Sequence, residues 1–442
     1  MNLPSRETAI EIVRRLQKAG FTAFWVGGCV RDFLLGREPQ DYDIATNARP
    51  DRIEKLFPKT IAVGRKFGVI TVVKGAWQFQ VATFRAEAEY QDGRRPEKIV
   101  FSNAAADVQR RDFTVNGLFY DPIVEKLHDW VGGKRDLRAG IIRTIGAPEE
   151  RFAEDHLRLL RAIRFAAQLG FVIEPETFAA VKKLAPKIEL ISAERIRDEL
   201  IKLFSPPHAG RGLVLLRDSR LLPGILPELI ATILCQQSPD YHPEGTVFEH
   251  IRLMLEKMPP GASPSLPWVV ILHDIAKPAT AERDNVTGAI HFYGHEKVGA
   301  AMAERILQRL RFPKKQIEEI AACVRNHMQF KDVQQMRTAT LRRLLLRDTF
   351  PLELELHRLD CLGSHGNLEN YEFLVAQMEE LKKKPAIRPP LLTGDDLIKL
   401  GMKPGPALGA LLNEIREKQL ADELKTRRAA KAWAKKQMAA HG

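Results

Sequence analysis

The 442-residue chain is 45% hydrophobic and 28% charged, and its 68 Lys and Arg outnumber 56 Asp and Glu for a formal net charge of +12. That length allows more than one core, and the composition is that of an ordinary soluble protein, without internal repeat or low-complexity tract. The charge excess favours a polyanionic partner, because cationic side chains displace counterions from phosphate, although a basic soluble surface reads the same way.

The opening stretch MNLPSRETAIEIVRRLQKAG reads as a charged amphipathic helix over roughly residues 5–19 and lacks the apolar core of a signal peptide. A strand from Phe21 to Val26 follows. Gly27-Gly28 then opens a second helix, CVRDFLLG, and DYDIAT is an alternating segment. Strands are predicted at 68–73 (GVITVV) and 79–85 (FQVATFR), and a basic loop runs from Glu89 to Glu97. From about residue 150 the pattern turns helical, broken at Ser205-Pro206-Pro207, 258–267 and 385–390, and it ends from about Ala407 in one long charged helix. The first third reads as α+β and is followed by helices, so the fold class expected is α+β. The cysteines, Cys29, Cys235, Cys323 and Cys361, are far apart with no CxxC pair, which argues against disulfides or structural zinc. No apolar run approaches the ~18 residues of a membrane span. A cytoplasmic protein with no membrane partner is expected.

Asp41 and Asp43 stand at i, i+2. On a strand both carboxylates project from one face, where clustered negative charge favours a hard divalent cation such as Mg²⁺. Alone, the spacing also reads as a solvated turn. Just upstream, strand–Gly27-Gly28–helix places backbone N–H groups at a helix N-terminus, suited to a triphosphate, and Arg31 sits one turn into that helix. Phosphate cradle and metal pair together point to phosphoryl or nucleotidyl transfer.

The run GGCVRDFLLGREPQDYDIAT resembles the signature of polymerase-β-like nucleotidyltransferases, in the bacterial tRNA CCA-adding and poly(A) polymerase group. The resemblance implies Gly28 and Arg31 on the triphosphate and Asp41 and Asp43 as catalytic ligands of Mg²⁺ in two-metal transfer. Gln80 stands where related polymerases often place a third carboxylate, so two are assigned. RRDFTVNGLFYDP (110–122) resembles the next motif, with Gly117 where alanine is usual. By that likeness Arg111 contacts the nucleotide, Asp112 the ribose, and Asn116 holds the loop. DWVGGKRDL (129–137) matches a motif thought to be a hinge whose glycines permit rearrangement. EDHLRLLRAIRFAAQLGF (154–171) is read as one helix. Asp155 and Arg158 resemble the protein template that selects CTP and ATP, and Arg161 and Arg164 match nucleotide-binding positions. Without the resemblance, this spacing is an i, i+3 salt-bridge helix. RAEAEYQDGRRP (85–96) resembles the flexible loop that CC-only enzymes lack, and ISAERIRDELIKLF (191–204) resembles the neck helix. GRKFGVITVV is nearer the tRNA enzymes' form than that of poly(A) polymerases.

Further on, His250, His273-Asp274, His295, His327 and Asp360 follow the ligand order of HD-type metal phosphohydrolases, and such N and O donors suit Mn²⁺, Ni²⁺, Fe or Mg²⁺. An active site would cleave phosphate esters at RNA ends; an inactive remnant is the other reading. In the tail, Lys425, Arg427, Arg428, Lys431, Lys435 and Lys436 surround Trp433, which suits an RNA backbone or simply a solvated helix end. The resemblance thus implies a nucleotidyltransferase head with a mixed sheet (1–145), then an all-α neck (146–205), HD-type body (206–385) and basic tail (386–442). The activity implied is CCA addition to tRNA from CTP and ATP. The alternatives are an A-adding enzyme or poly(A) polymerase, an HD phosphohydrolase with a vestigial head, and a non-catalytic RNA-binding protein. Oligomeric state is left open.

Overall fold

The amphipathic start forms helix α1 (Arg6–Lys18), which buries Ala9, Ile12, Val13 and Leu16 on one face. The structure, a computed structural model, describes residues 6–86, 100–239, 242–383, 390–421 and 423–440. Residues 87–96 of the expected flexible loop lie outside them. Gly20 (φ +86°) closes α1 in a Schellman turn, with Phe21 N–H donating to Leu16 C=O, so the strand begins two residues later than expected, as β1 (Ala23–Val26).

Helix α2 (Gly28–Leu34), strand β2 (Ile44–Thr46), helix α3 (Pro50–Leu56) and strands β3 (Thr60–Ile61), β4 (Val69–Lys74) and β5 (Trp77–Thr83) come next. A small ladder of β6 (Arg85–Ala86) and β7 (Val100–Phe101), helix α4 (Ala104–Gln109), then β8 (Phe119–Asp121) and β9 (Lys126–His128) complete the head. Among the described residues the main sheet has the order β3-β4-β5-β2-β1-β8-β9. Only β2 and β5 pair in parallel, and all other neighbours are antiparallel. The mixed sheet is the one expected.

Helix α5 (Gly133–Ala139) and strand β10 (Ile141–Ile142) lead to α6 (Pro148–Glu154), α7 (Leu157–Leu169), β11 (Val172–Ile173), α8 (Pro175–Leu184) and α9 (Ala193–Leu203). Helices α10 (Ala209–Asp218) and α11 (Leu222–Ile225) end this compact unit, which spans Met1–Pro227. The segment from 206 was expected to belong with the body, but α10 packs on α7, and its Gly212 leaves room for the Leu203 side chain at the end of α9.

The second unit, Glu228–Gly442, is built around α13 (Leu266–Leu272), every residue of which is buried. Around it pack α12 (Val247–Glu256), α14 (His295–Arg309), α15 (Lys314–Asn326) and α17 (Phe350–Gly363), with the hairpin β12 (Glu282–Arg283) and β13 (Ile290–His291) ahead of α14. Helices α16 (Thr338–Leu345) and α18 (Glu369–Lys383) add a cluster around Phe330 and Phe350. The tail forms its own core around Leu397, Ile415 and Leu424 from α19 (Gly394–Lys399), α20 (Pro406–Leu420) and α21 (Arg427–Ala440). The single long terminal helix expected is therefore two. Leu424 turns inward between them, and Thr426 caps the start of the second through Ala429 N–H.

Candidate active site

Asp41 and Asp43 lie in the extended lead-in to β2, one step before the strand in which they were expected. Val26 N–H still donates to Asp43 C=O at 3.0 Å, continuing the β1–β2 ladder. Tyr42, buried against Trp25, and Ile44 are buried and alternate with the two carboxylates, of which Asp41 is exposed and Asp43 half-buried. Burial and the neighbouring charge of Asp41 push the Asp43 carboxyl up to about 6, opposed by the Arg111 guanidinium. In the parallel β2–β5 register Ile44 pairs with Val81, which sets exposed Gln80 beside Asp43. The position singled out for a third carboxylate carries a neutral amide. Two acid side chains on an open face, one with a strained charge, are a donor set fitted to Mg²⁺. Beneath them, burial first and Asp43 second push the Cys29 thiol up to about 12, which keeps it neutral.

Gly27 holds φ +75° and ψ −130° as the N-cap of α2, a backbone state open to glycine, and a Cβ there would meet Arg111 Nη1 at 3.2 Å. The first-turn N–H groups that follow lack intrahelical partners, which is the basis of an anion site. Arg31 is nearly buried. Its Nε donates to Asp32 Oδ1 and its Nη1 to Asn116 Oδ1, each at 2.8 Å, and its guanidinium lies 5.3 Å from the Phe165 ring centre. Arg111 is anchored by Asp107, a buried carboxylate that also takes Arg110; sequence reasoning missed it, although its i, i+3 and i, i+4 spacing to the two arginines is a helical signal.

Asp112 joins the head to the neck. Its Oδ1 accepts from Phe113 N–H (2.8 Å) and Asn116 Nδ2 (3.2 Å), and its Oδ2 accepts from Arg161 Nε (2.8 Å) and Nη2 (2.5 Å). Burial pushes this carboxyl up, yet Arg161 and the hydrogen bonds outweigh it and hold it down at about 2. Arg164 donates to Glu199 Oε2 at 2.5 Å from α7 to α9, and both Arg161 and Arg164 lie over Phe165. The two arginines expected on nucleotide are therefore already engaged by Asp112 and Glu199. Glu199 was missed because its partners are 35 and more residues away.

The expected 154–171 helix is interrupted. Asp155 takes φ −151° and ψ 102°, ending α6, and α7 starts at Leu157. Asp155 therefore lies outside the helix that carries Arg158, although Arg158 N–H still donates to its carbonyl at 2.9 Å. Its side chain accepts from Arg195 Nη2 at 2.7 Å, another partner missed in the sequence. Arg158 donates instead to Glu154 and to the carbonyls of Arg151 and Arg110, both at 2.9 Å. The salt bridge that the spacing alone would suggest between Asp155 and Arg158 is absent, and two separate anchors hold each group independently.

The 129–137 motif is tightly packed. Asp129 accepts from Gly133 and Lys134 N–H at 2.9 Å, and a Cβ at Gly133 would fall 2.1 Å from Thr114 O. Close approach, rather than freedom to rearrange, accounts for glycine there. Gly117 likewise leaves the space taken by Val131 and Ile145, which explains its departure from alanine.

In the second unit His250, His273, Asp274, His295 and His327 fall into two overlapping groups that share Asp274, with ligand atoms within 4.8 Å of one another in each, and Asp360 is reached through His250. His273, His295 and His327 each turn Nδ1 to the carbonyl three residues back (Val270, Phe292, Val324) at 2.8, 2.7 and 2.6 Å. That common tether presents each Nε2 to Asp274, at 3.1, 3.4 and 3.7 Å respectively. His250 lies between Glu244 (2.6 Å) and Asp360 (3.0 Å), and Lys277 is 2.7 Å from Asp274. His273 Nε2 and Asp274 Oδ1 are buried without a hydrogen bond of good geometry. Buried donors left bare and oriented by backbone fit a divalent cation. In the tail, Arg428, Lys435 and Lys436 are exposed, Lys425 and Arg427 are exposed with partners, Lys431 is half-buried, and Arg427 is tied to Asp396.

Three family patterns match the chain: the Poly A polymerase head domain over residues 23–143, the probable RNA and SrmB-binding site of polymerase A over 170–233, and the putative tRNA nucleotidyltransferase domain 2 over 292–432. The CCA-adding enzyme of Geobacillus kaustophilus is 43% identical over 231 residues, 52% of this chain and 57% of that one, so the match spans little more than half of that relative. The CCA-adding enzyme of Levilactobacillus brevis is 31% identical over 418 residues, 92% of each chain. Among solved structures, the CCA-adding enzyme of Bacillus stearothermophilus in complex with CTP superposes with a TM-score of 0.77 at 27% identity, covering 100% of this chain and 99% of that one. The Thermotoga maritima CCA-adding enzyme complexed with tRNA_CCA shares the fold at a TM-score of 0.60 and 18% identity, over 98% of this chain and 95% of that one. With a likeness that runs the length of both chains, and with the aspartate pair, the glycine cap and the Asp112–Arg161 tie in place, this protein belongs to the CCA-adding nucleotidyltransferase family.

Proposed function

We propose that the chain restores the 3′-CCA end of tRNA, using CTP and ATP as substrates in the cytoplasm. The observation that carries this reading is the Asp41/Asp43 pair on the open face beside Gly27-Gly28, joined through Arg111 and Asp112 to the neck helix. Asp41 and Asp43 would hold Mg²⁺. When bound, the ion supplies activation of the RNA 3′-hydroxyl and charge neutralisation on the departing pyrophosphate. The helix start at Gly28, capped by Gly27, and Arg31 would hold the triphosphate so that its α-phosphorus meets the 3′-oxygen. A new O–P bond forms as the α–β anhydride breaks, and the hydroxyl proton passes to solvent. Arg111 sets the charge around Asp43, and Asp112 with Arg161 positions the sugar side of the pocket. Asp155 and Arg158, each separately anchored, would present an acceptor and a guanidinium edge to the base and so choose C or A. The exposed basic residues of α21 would meet the RNA backbone. Among the described residues no helix is long and apolar enough to cross a membrane. The assay is to offer tRNA ending before the first C, after the second C, or complete, with each labelled nucleotide. CTP use on the first and ATP use on the second supports CCA addition; ATP use alone would mean an A-adding enzyme.

The His–Asp cluster of the second unit favours a further reading, a metal-dependent phosphohydrolase acting on phosphate esters at RNA ends. His250, His273, Asp274, His295, His327 and Asp360 would hold Mn²⁺, Ni²⁺, Fe or Mg²⁺, which when bound supplies a nucleophilic water. Lys277 would balance charge at the phosphate. Titration of Mn²⁺ into the full chain and into Asp274→Asn tests it: binding lost in the variant supports the site, and equal binding overturns it.

A further inference from the structure

We propose that Tyr293 and His291 form a base-stacking platform at the mouth of the His–Asp cavity, so that this site takes a nucleotide carrying a phosphomonoester rather than phosphate alone. The inference rests on the phosphohydrolase reading above and deepens it. The cavity has a volume of about 660 Å³, and its lining includes Asp274, His295, His327, His291, Phe292 and Tyr293. That is in the range of sites that enclose a whole small molecule, several times the need of an inorganic phosphate.

The two rings are stacked, with centroids 5.3 Å apart and an interplanar angle of 17°, while Tyr293 is 72% exposed. A tyrosine in a folded core covers both faces; this one rests on a neighbour and leaves its remaining surface open on the rim of a cavity. Such aromatic surfaces bind nucleobases of any identity, because every base has a π-face. The platform is also fixed relative to the cluster. Phe292, between the two rings in sequence, accepts from His295 Nδ1 at 2.7 Å through its carbonyl, and its own ring takes Lys277 Nζ at 5.4 Å from the centroid. One short segment therefore orients a metal-type ligand, contacts the cation beside Asp274 and displays the stack. Charge runs the same way. Lys277 at the cluster and Lys331 on the lining favour an anionic group inside, with the base outward on the rings. The hairpin of β12 and β13 that carries His291 also explains why this segment stands at the rim.

The test uses the full-length chain with Asp41→Asn and Asp43→Asn to silence the head, loaded with Mn²⁺, and calorimetry with adenosine 2′-monophosphate, ribose 5-phosphate and inorganic phosphate. The nucleotide is expected to bind about tenfold more tightly than ribose 5-phosphate. Tyr293→Ala and His291→Ala should remove that advantage, Tyr293→Trp should keep it, and none should change phosphate binding. Phosphate binding with no advantage for the nucleotide overturns the platform and leaves the phosphohydrolase reading standing. A Tyr293-dependent advantage that ignores Mn²⁺ keeps the platform and overturns the hydrolytic reading. No binding of any probe overturns both.

Discussion

Arg161 on α7 clamps one oxygen of Asp112, with Nε at 2.8 Å and Nη2 at 2.5 Å, across 49 residues of sequence. The other oxygen is held by Phe113 N–H and Asn116. A single carboxylate therefore fixes the head loop to the neck helix, and Arg161 reaches on to Glu199 at 3.6 Å. The geometry of the nucleotide pocket depends on this joint rather than on either element alone.

Asp112→Asn leaves Arg161 with a neutral partner in a buried setting. Breaking such a pair costs about 3 kcal/mol, read as a lower urea midpoint with unchanged slope. Nucleotide incorporation should fall in parallel as the neck shifts from the head. An unaltered midpoint would show that the clamp carries no stability.

The same carboxyl sets an acid limb. Its value in the folded chain is about 2, below its ordinary 3.8, so the folded state binds this proton less readily than the unfolded state. The contribution, roughly 2 kcal/mol, is fully present above pH 4 and is lost as pH falls through 2. The stability gap between the parent chain and Asp112→Asn should therefore narrow across that window. A gap independent of pH would contradict the assignment.

Arg158 is held at three points, Glu154 and two carbonyls, which only a planar fork with several donors can satisfy. Arg158→Lys keeps the charge and loses the fork. Misincorporation of UTP and GTP should rise at least tenfold relative to CTP and ATP, measured by single-nucleotide addition to truncated tRNA, while folding is little changed. Selectivity equal to the parent would separate Arg158 from base choice.

Gly27→Ala meets both a left-handed backbone and the Arg111 guanidinium at 3.2 Å. The strain costs about 1 kcal/mol, and displacing Arg111 from beside Asp43 should lower kcat more than it raises KM. A rise in KM alone would place the glycine in triphosphate binding only.

The head was legible because its chemistry is local: Gly27, Gly28, Arg31, Asp41 and Asp43 fall within one β–α–β stretch, and in the β2–β5 register Ile44, next to Asp43, pairs with Val81, next to Gln80. The His–Asp ligands were legible for a different reason. Six residues in a known order, two of them adjacent, constrain one another even when the helices between them are not foreseen. What stayed hidden depends on long-range packing. Glu199 beside Arg164 and Arg195 on Asp155 have no sequence spacing that marks them, whereas Asp107 stands at i, i+3 and i, i+4 from Arg110 and Arg111, a helical spacing that could have found it. The break at Asp155 was hidden too, since Glu154 to Phe171 has unbroken helical periodicity and the extended residue is favoured by its partner on α9. Glycines at 117 and 133 signal space for a neighbour, which only the packed structure identifies.

The central claim is that Asp41 and Asp43 carry the transfer chemistry while the neck chooses the base. The most direct measurement is addition of labelled CMP to tRNA lacking its CCA end by Asp41→Ala/Asp43→Ala, with tRNA binding followed in parallel. Incorporation reduced by at least a thousandfold, with tRNA affinity within a few-fold of the parent chain, is the expected result. Incorporation retained at parental rate would contradict the account.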